Sequence, residues 1–495
     1  MPVRRLRALV LVALAGCLVA PACSRPPAPA ESAAPATRAA APAPKARPDI
    51  LLVVVDTLRA DRLGLLGARR PTTPALDARL RDGLVFEHAT TPVPFTSPAV
   101  MSLLTGRYPQ HHRVRMIFQR LAPEVPTLPE ALAALGYRTA AVVSNMVITD
   151  EATGLGSRFG YYDDYVDEPV RWAGTSERPD FERDAARTTE AALAWLERAA
   201  LRPGPRFFYL HYMDPHAPYT PPANGAADFR HPRPAPVDLK RLATASRLAG
   251  VTDGLEYVDR YDEEVAFADR EIGRFLDAYD RALGLDKAVV VFTADHGETL
   301  LEPGRQRLFA HGFGVWEEQV RVPLVLRAPG VAAGRRADPV SLLDVLPTLL
   351  ELAGGPPLAG TDGRSLLAAP EPSRELLFEG SGERRGDQIR AVERAGHKWV
   401  ITTQGGRELP GGRLYFDLGA DALEASPLAW AGDSAPASLL QFFSADPDPS
   451  GLPAREAILL GRRLSTAKVR PEGLPVVGSG ADEEARKKLE ALGYL

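Results

Sequence analysis

Ile50-Leu51-Leu52-Val53-Val54-Val55-Asp56 is the stretch that decides the fold. Six consecutive apolar residues, four of them β-branched, leave no hydrophilic face, so the run reads as a central strand of a parallel sheet covered on both sides. The carboxylate that ends it falls at the carboxyl edge, where ligand sites form in such sheets. Similar runs recur at Thr139-Ala140-Ala141-Val142-Val143, Phe207-Phe208-Tyr209-Leu210, Ala288-Val289-Val290-Val291-Phe292 and Val322-Pro323-Leu324-Val325-Leu326. Between them, Tyr257 to Leu283 spaces Val258, Tyr261, Val265, Ile272, Phe275, Leu276 and Tyr279 on one helical face. Strand alternating with amphipathic helix predicts an α/β domain, with a mostly parallel central sheet flanked by helices.

Working outward, the pattern changes near Glu375. Short apolar pieces such as His397–Ile401 and Leu414–Leu418, separated by glycine-rich turns, predict a small antiparallel sheet. The expected organisation is therefore a leader over 1–23, a Pro/Ala-rich spacer over 24–47 and a catalytic α/β domain over 48–370. A small C-terminal subdomain over 371–450 and a tail over 451–495 follow, the tail with a short helix from Ala481 to Leu492. The spacer composition cannot bury a core and reads as an extended linker.

In the leader, Arg4-Arg5-Leu6-Arg7 precedes an apolar stretch from Ala8 to Ala15, as in a secretory signal. It ends in Leu14-Ala15-Gly16-Cys17, which resembles the lipobox of bacterial lipoproteins. Cys17 is the expected lipidation site and Cys23 the secondary one. The expected location is the bacterial cell envelope, periplasmic or outer-membrane-attached, with the membrane engaged only through a lipid anchor. These are the chain's two cysteines, so the domain beyond them is expected to use neither disulfides nor thiolate ligands. A net charge of −4 over 495 residues argues against a nucleic-acid partner.

Chemistry-bearing residues sit at the ends of the apolar runs. Asp56 follows the first, Asp214 and His216 the third, and Asp295-His296-Gly297-Glu298 the fourth; His311 lies shortly beyond. Singly, each is compatible with a helix cap or a loop residue. Asp295-His296 fits helix entry as well as a zinc or manganese ligand pair, but the joint appearance of these residues in this order, with Thr96 between the first two strands, is hard to assign to chance.

The run Pro94-Phe95-Thr96-Ser97-Pro98-Ala99-Val100-Met101-Ser102-Leu103-Leu104-Thr105-Gly106 resembles the sulfatase signature. In that signature a Cys or Ser, followed by x-Pro-x-Arg and then Leu-Thr-Gly, becomes formylglycine. With Val55–Asp61, His211–Tyr219, Asp295–Glu298, Glu317–Pro323, Asp344–Leu350 and Leu414–Leu418, the resemblance to the sulfatase family of the alkaline phosphatase superfamily runs from Arg47 to Asp421. It implies an alkaline-phosphatase-like sheet, with Asp56, Asp295 and His296 as ligands of a divalent metal and Thr96 as nucleophile with its oxygen on that metal. His216 and His311 match histidines that related phosphoethanolamine and phosphoglycerol transferases place opposite the metal, where they bind a second metal or the substrate anion. His216 is therefore a second catalytic candidate, and Asp214 is added to this second set by its spacing.

The departures concern the nucleophile. Thr96 replaces the oxidisable residue, Val100 the signature Arg and Thr57 the usual second Asp. Asp295-His296 stands for the Asp-Asn pair of calcium-dependent members, and Ser144-Asn145-Met146 occupies the place of a Gly-Lys-Trp-His element. A threonine lacks the second hydroxyl by which hydrated formylglycine expels sulfate. The expected activity is thus metal-dependent hydrolysis of phosphate or phosphonate esters, with zinc or manganese ahead of calcium and no formylglycine. Alternatives are a sulfuric ester hydrolase, a phosphoethanolamine/phosphoglycerol-type transferase and an inactive scaffold lipoprotein. The partner expected is a small anionic ester, free or on a lipid or glycan. His111 and His112 read as surface-turn residues, His211 and Lys398 as structural, and Arg59 with Asp61 as a pair near the first helix.

Overall fold

A computed structural model describes residues 47–166, 183–222, 227–243, 246–381, 388–402 and 413–429, with positions 436 and 438. The leader, most of the spacer and the expected tail helix lie outside the described residues. So do parts of 163–181 and 224–252.

Eight strands form the main sheet, in the spatial order Tyr161–Asp163, Arg138–Val142, Arg206–Tyr212, Ile50–Val55, Val289–Ala294, Leu324–Arg327, Leu84–Phe86 and Gly334–Arg336. Ile50–Val55 lies in the middle, parallel to both Arg206–Tyr212 and Val289–Ala294. All six of its residues are buried, as a run apolar on both faces requires. Leu324–Arg327 departs from the parallel rule by pairing antiparallel with Val289–Ala294. It starts after Pro323, whose missing N–H cannot join the ladder.

The helix Gly254–Leu283 starts earlier than its apolar spacing indicates, because Asp253 caps it. The Asp253 carboxylate accepts from Leu255 N at 3.0 Å and from Ala235 N at 2.7 Å, so it also ties down the preceding loop. Tyr257, Tyr261, Val265, Ile272, Phe275, Leu276 and Tyr279 form its buried face. Asp253→Ala should therefore cost about 1–2 kcal/mol, read as a lower denaturant midpoint with an unchanged slope.

The helix Thr96–Thr105 is buried along its whole length. It ends at Gly106, whose φ of 64° is left-handed and whose missing Cβ would come within 3.3 Å of the Leu343 carbonyl. His112 proves to be buried rather than in a surface turn. Its Nδ1 accepts from Val114 N at 3.1 Å, so Nε2–H donates to Ser102 Oγ at 2.9 Å. Burial, then nearby Arg115, pushes its pKa down to about 3. His112 is thus a neutral strut beneath the helix Thr96–Thr105, while His111 stays exposed against Asp362.

The predicted small sheet is present as Leu376–Ser381, Gln388–Arg394, His397–Thr402, Arg413–Asp417 and Leu428–Ala429, antiparallel throughout. Phe378, Ile389, Val400 and Phe416 pack with Val315, Trp316 and Val320. Lys398 is fully buried, with Glu317 and Glu424 each 3.0 Å from its ammonium, which fits the structural role expected of it. Among the described residues no helix is long and apolar enough to cross a membrane.

Candidate active site

Three parallel strands deliver the central side chains. Asp56 follows Ile50–Val55, Asp295 and His296 follow Val289–Ala294, and His211 lies within Arg206–Tyr212, in register with Val54. The helix Thr96–Thr105 places Thr96 at its first turn, where the helix dipole favours an anion. Asp56, Thr96, Asp295, His296 and His211 are all buried to 0% exposure.

His296 Nδ1 donates to the Gly297 carbonyl at 2.9 Å, which in the neutral ring leaves the lone pair on Nε2. That Nε2 stands 3.2 Å from Thr96 Oγ1, 3.8 Å from Asp56 Oδ1 and 3.6 Å from Asp295 Oδ2. Asn145 clamps the first carboxylate: its Nδ2 donates to Asp56 Oδ2 at 2.8 Å while its Oδ1 accepts from Val147 N. Asp295 Oδ1 accepts from His296 N at 2.8 Å and Thr57 N at 3.3 Å. Thr57 is held there at a left-handed φ of 54°, a strained conformation for a β-branched residue. Burial, then the neighbouring charge of Asp295, holds the Asp56 carboxyl well above the ordinary range.

The fit of these residues to a divalent cation rests on what they leave unmatched. Asp56 Oδ1, Asp295 Oδ2 and both His211 nitrogens are buried and without a hydrogen-bond partner. Two carboxylates taken out of water with open lone pairs are costly unless a cation joins them. Asp56, His211 and Asp295 also bring ligand atoms within 4.8 Å of one another. A divalent ion suits this donor set.

Three histidine rings gather at this cluster, tilted or edge-on to one another. His296 and His311 centroids lie 4.4 Å apart, and His311 and His216 centroids 5.3 Å apart. His311 Nδ1 sits 3.3 Å from both oxygens of Glu298, one of which accepts from the Tyr219 hydroxyl. His216 Nδ1 donates to the Ala217 carbonyl, and burial, then His311, pushes its pKa down to about 3. A neutral His216 offers a lone pair rather than a proton.

Asp214, expected beside the histidines, is held through one carboxylate oxygen. Its Oδ2 accepts from Ala185 N at 2.7 Å, at the start of the helix Ala185–Ala200, and burial, then Asp184, pushes its pKa up to about 7. Arg59 and Asp61 do pair, through two bonds of 3.0 and 2.9 Å. Sequence reading missed His211, Asn145 and Glu298 as site residues. A lone titratable residue inside an apolar strand, and a polar pair straight after Val143, were the available signals.

A mostly parallel sheet carrying an aspartate-histidine cluster at its carboxyl edge defines the class, that of the alkaline phosphatase-like superfamily. Within it, this chain belongs to the sulfatase family, whose model, described as Sulfatase, matches residues 48–355. Choline-sulfatase of Rhizobium meliloti is 27% identical over 77% of this chain and 82% of its own length. A multifunctional alkaline phosphatase superfamily protein of Trinickia caryophylli is 29% identical over 80% of this chain and 94% of its own. Among solved structures, a phosphonate monoester hydrolase of Agrobacterium radiobacter superposes with a TM-score of 0.60 at 19% identity, over 88% of this chain and 100% of its own. At that identity the likeness shows the fold.

Proposed function

We propose that this sulfatase-family hydrolase is a metal-dependent enzyme using Thr96 as nucleophile on phosphate or phosphonate esters. The observation that carries the reading is Thr96 Oγ1 at 3.2 Å from His296 Nε2, beside two buried carboxylates that each keep an unmatched oxygen. Asp56, Asp295 and His296 would hold the metal, with Thr96 next to it. When bound, the cation supplies Lewis acidity that lowers the hydroxyl pKa and offsets charge on the transferring group.

The chain's own residues do the rest. Asn145 and the Thr57 amide fix the two carboxylates, and the Gly297 carbonyl fixes the His296 tautomer. Attack of Thr96 Oγ1 on phosphorus breaks the ester bond to the leaving alcohol and gives a phosphothreonine, which water then cleaves. Glu298 and Tyr219 orient His311 across the pocket, where its imidazole can bind the anion or meet the leaving oxygen.

The second reading, sulfate-ester hydrolysis, is favoured by the sulfatase names among the relatives. Thr96 weighs against it, because a sulfated threonine lacks a second hydroxyl with which to expel sulfate. Attachment to the cell envelope is also proposed, on the strength of Leu14-Ala15-Gly16-Cys17. The test assays the full chain with an aryl phosphate, an aryl phosphodiester and an aryl sulfate, each with zinc, manganese or calcium. Phosphoester turnover with zinc or manganese should exceed sulfate turnover by at least about tenfold. The reverse order would establish the sulfatase reading, and no turnover with no bound metal would leave a scaffold.

A further inference from the structure

His211 sits where strand chemistry calls for no imidazole. It occupies the interior of the strand Arg206–Tyr212 among Phe207, Phe208, Tyr209 and Leu210, at 0% exposure. Neither ring nitrogen has a hydrogen-bond partner, although buried polar side chains are almost always satisfied. Its Nε2 lies 3.9 Å from Asp56 Oδ2 and 3.8 Å from Asp295 Oδ2, nearly equidistant from the two carboxylates. Both separations are too long for hydrogen bonds. They match the spacing of ligands that share an ion, since donors about 2.1 Å from one zinc stand roughly 3–4 Å from each other.

We propose that His211 Nε2 is a ligand of the active-site metal, completing an Asp56, Asp295, His211, His296 set. The inference rests on the reading of this site as a metal centre. His296 Nε2 approaches the carboxylates at 3.6 and 3.8 Å, and His211 Nε2 does so at nearly the same distances. The bland alternative is a charged imidazole that merely offsets the two carboxylates. Such a ring, 3.8–3.9 Å from both carboxylates, attracts them without a short bond, so the count of imidazoles on the metal separates the two roles. Two imidazoles with two carboxylates form a borderline donor set, which prefers zinc or another late transition ion to calcium. This places selection of the metal partly in a strand position rather than in the motifs that follow the strands.

The test loads the full-length protein with zinc or cobalt(II) and counts imidazole ligands by X-ray absorption, beside the visible spectrum of the cobalt form. His211→Phe keeps the ring volume in the apolar strand, and His211→Asn provides a smaller polar control. Folding of each is checked by circular dichroism. Two imidazoles in the wild type, falling to one in His211→Phe with at least a tenfold weaker metal dissociation constant, is the expected result. One imidazole in the wild type would overturn the ligand assignment and leave the metal centre standing, a reading that needs no variant to fold. An unchanged count and cobalt spectrum in either folded variant would overturn it equally. A wild type that binds no metal would sink the proposed function together with this inference.

Discussion

Thr96→Ala is expected to lower phosphoester turnover by a factor on the order of 10³ to 10⁶, the scale seen when a covalent nucleophile is removed. Its hydroxyl sits 3.2 Å from His296 Nε2, at the head of a helix with no exposed residue, so no other side chain can slide into its place. Folding should hardly suffer, because the change removes one buried hydroxyl and its single bond, worth about 1 kcal/mol. Metal content should also persist, since Asp56, Asp295 and His296 are untouched. Thr96→Ser keeps the oxygen but loses the methyl that restrains χ1, so it should retain activity within about tenfold. Rapid quenching of the wild type followed by mass spectrometry should find the phosphoryl group on Thr96. Phosphoester turnover surviving in a folded, metal-loaded Thr96→Ala protein would instead mean direct attack by water.

The fold was largely legible because burial on both faces writes itself as uninterrupted apolar runs. Ile50–Val55 and Val289–Ala294 could be placed from hydropathy alone. Strand direction could not, since Leu324, Val325 and Leu326 are buried like Val289–Ala294 yet their strand runs the other way. Residues immediately after a strand were readable for the same reason: Asp56, Asp295 and His296 each end an apolar run. Side chains inside a strand, or turned by a local bond, were not. His211 is a single polar letter in an apolar word, and Asp214 looks identical in sequence whether it binds a ligand or the Ala185 amide. Asn145 was visible only as the absence of a family element, although it holds Asp56 in place. His112 could be read as buried only once Ser102 and Val114 were seen to satisfy both ring nitrogens.

Asp56→Asn should separate function from stability in opposite directions. In the metal-stripped protein, Asp56 and Asp295 are two fully buried carboxylates with one unmatched oxygen each. Replacing one by a neutral amide of the same shape removes a buried charge and keeps an oxygen for the Asn145 amide. Such relief is worth about 1–3 kcal/mol, so the metal-stripped variant should melt above the metal-stripped wild type. The pH dependence follows from the direction of the shift. The native Asp56 carboxyl is raised well above its ordinary value near 3.8, so below that value it is protonated in both states. As pH rises toward the native value, the unfolded chain ionises first, and wild-type stability falls until the folded carboxyl also ionises. The variant should lose that slope. Addition of zinc reverses the order, because the wild type gains stability by mass action while a side chain with no carboxylate loses most of the affinity. Turnover should fall at least a thousandfold, as expected for loss of a residue that holds the metal against the nucleophile. A metal-stripped Asp56→Asn protein that melts below wild type would show that the two carboxylates are already balanced without a cation, and the metal reading of this site would go with it.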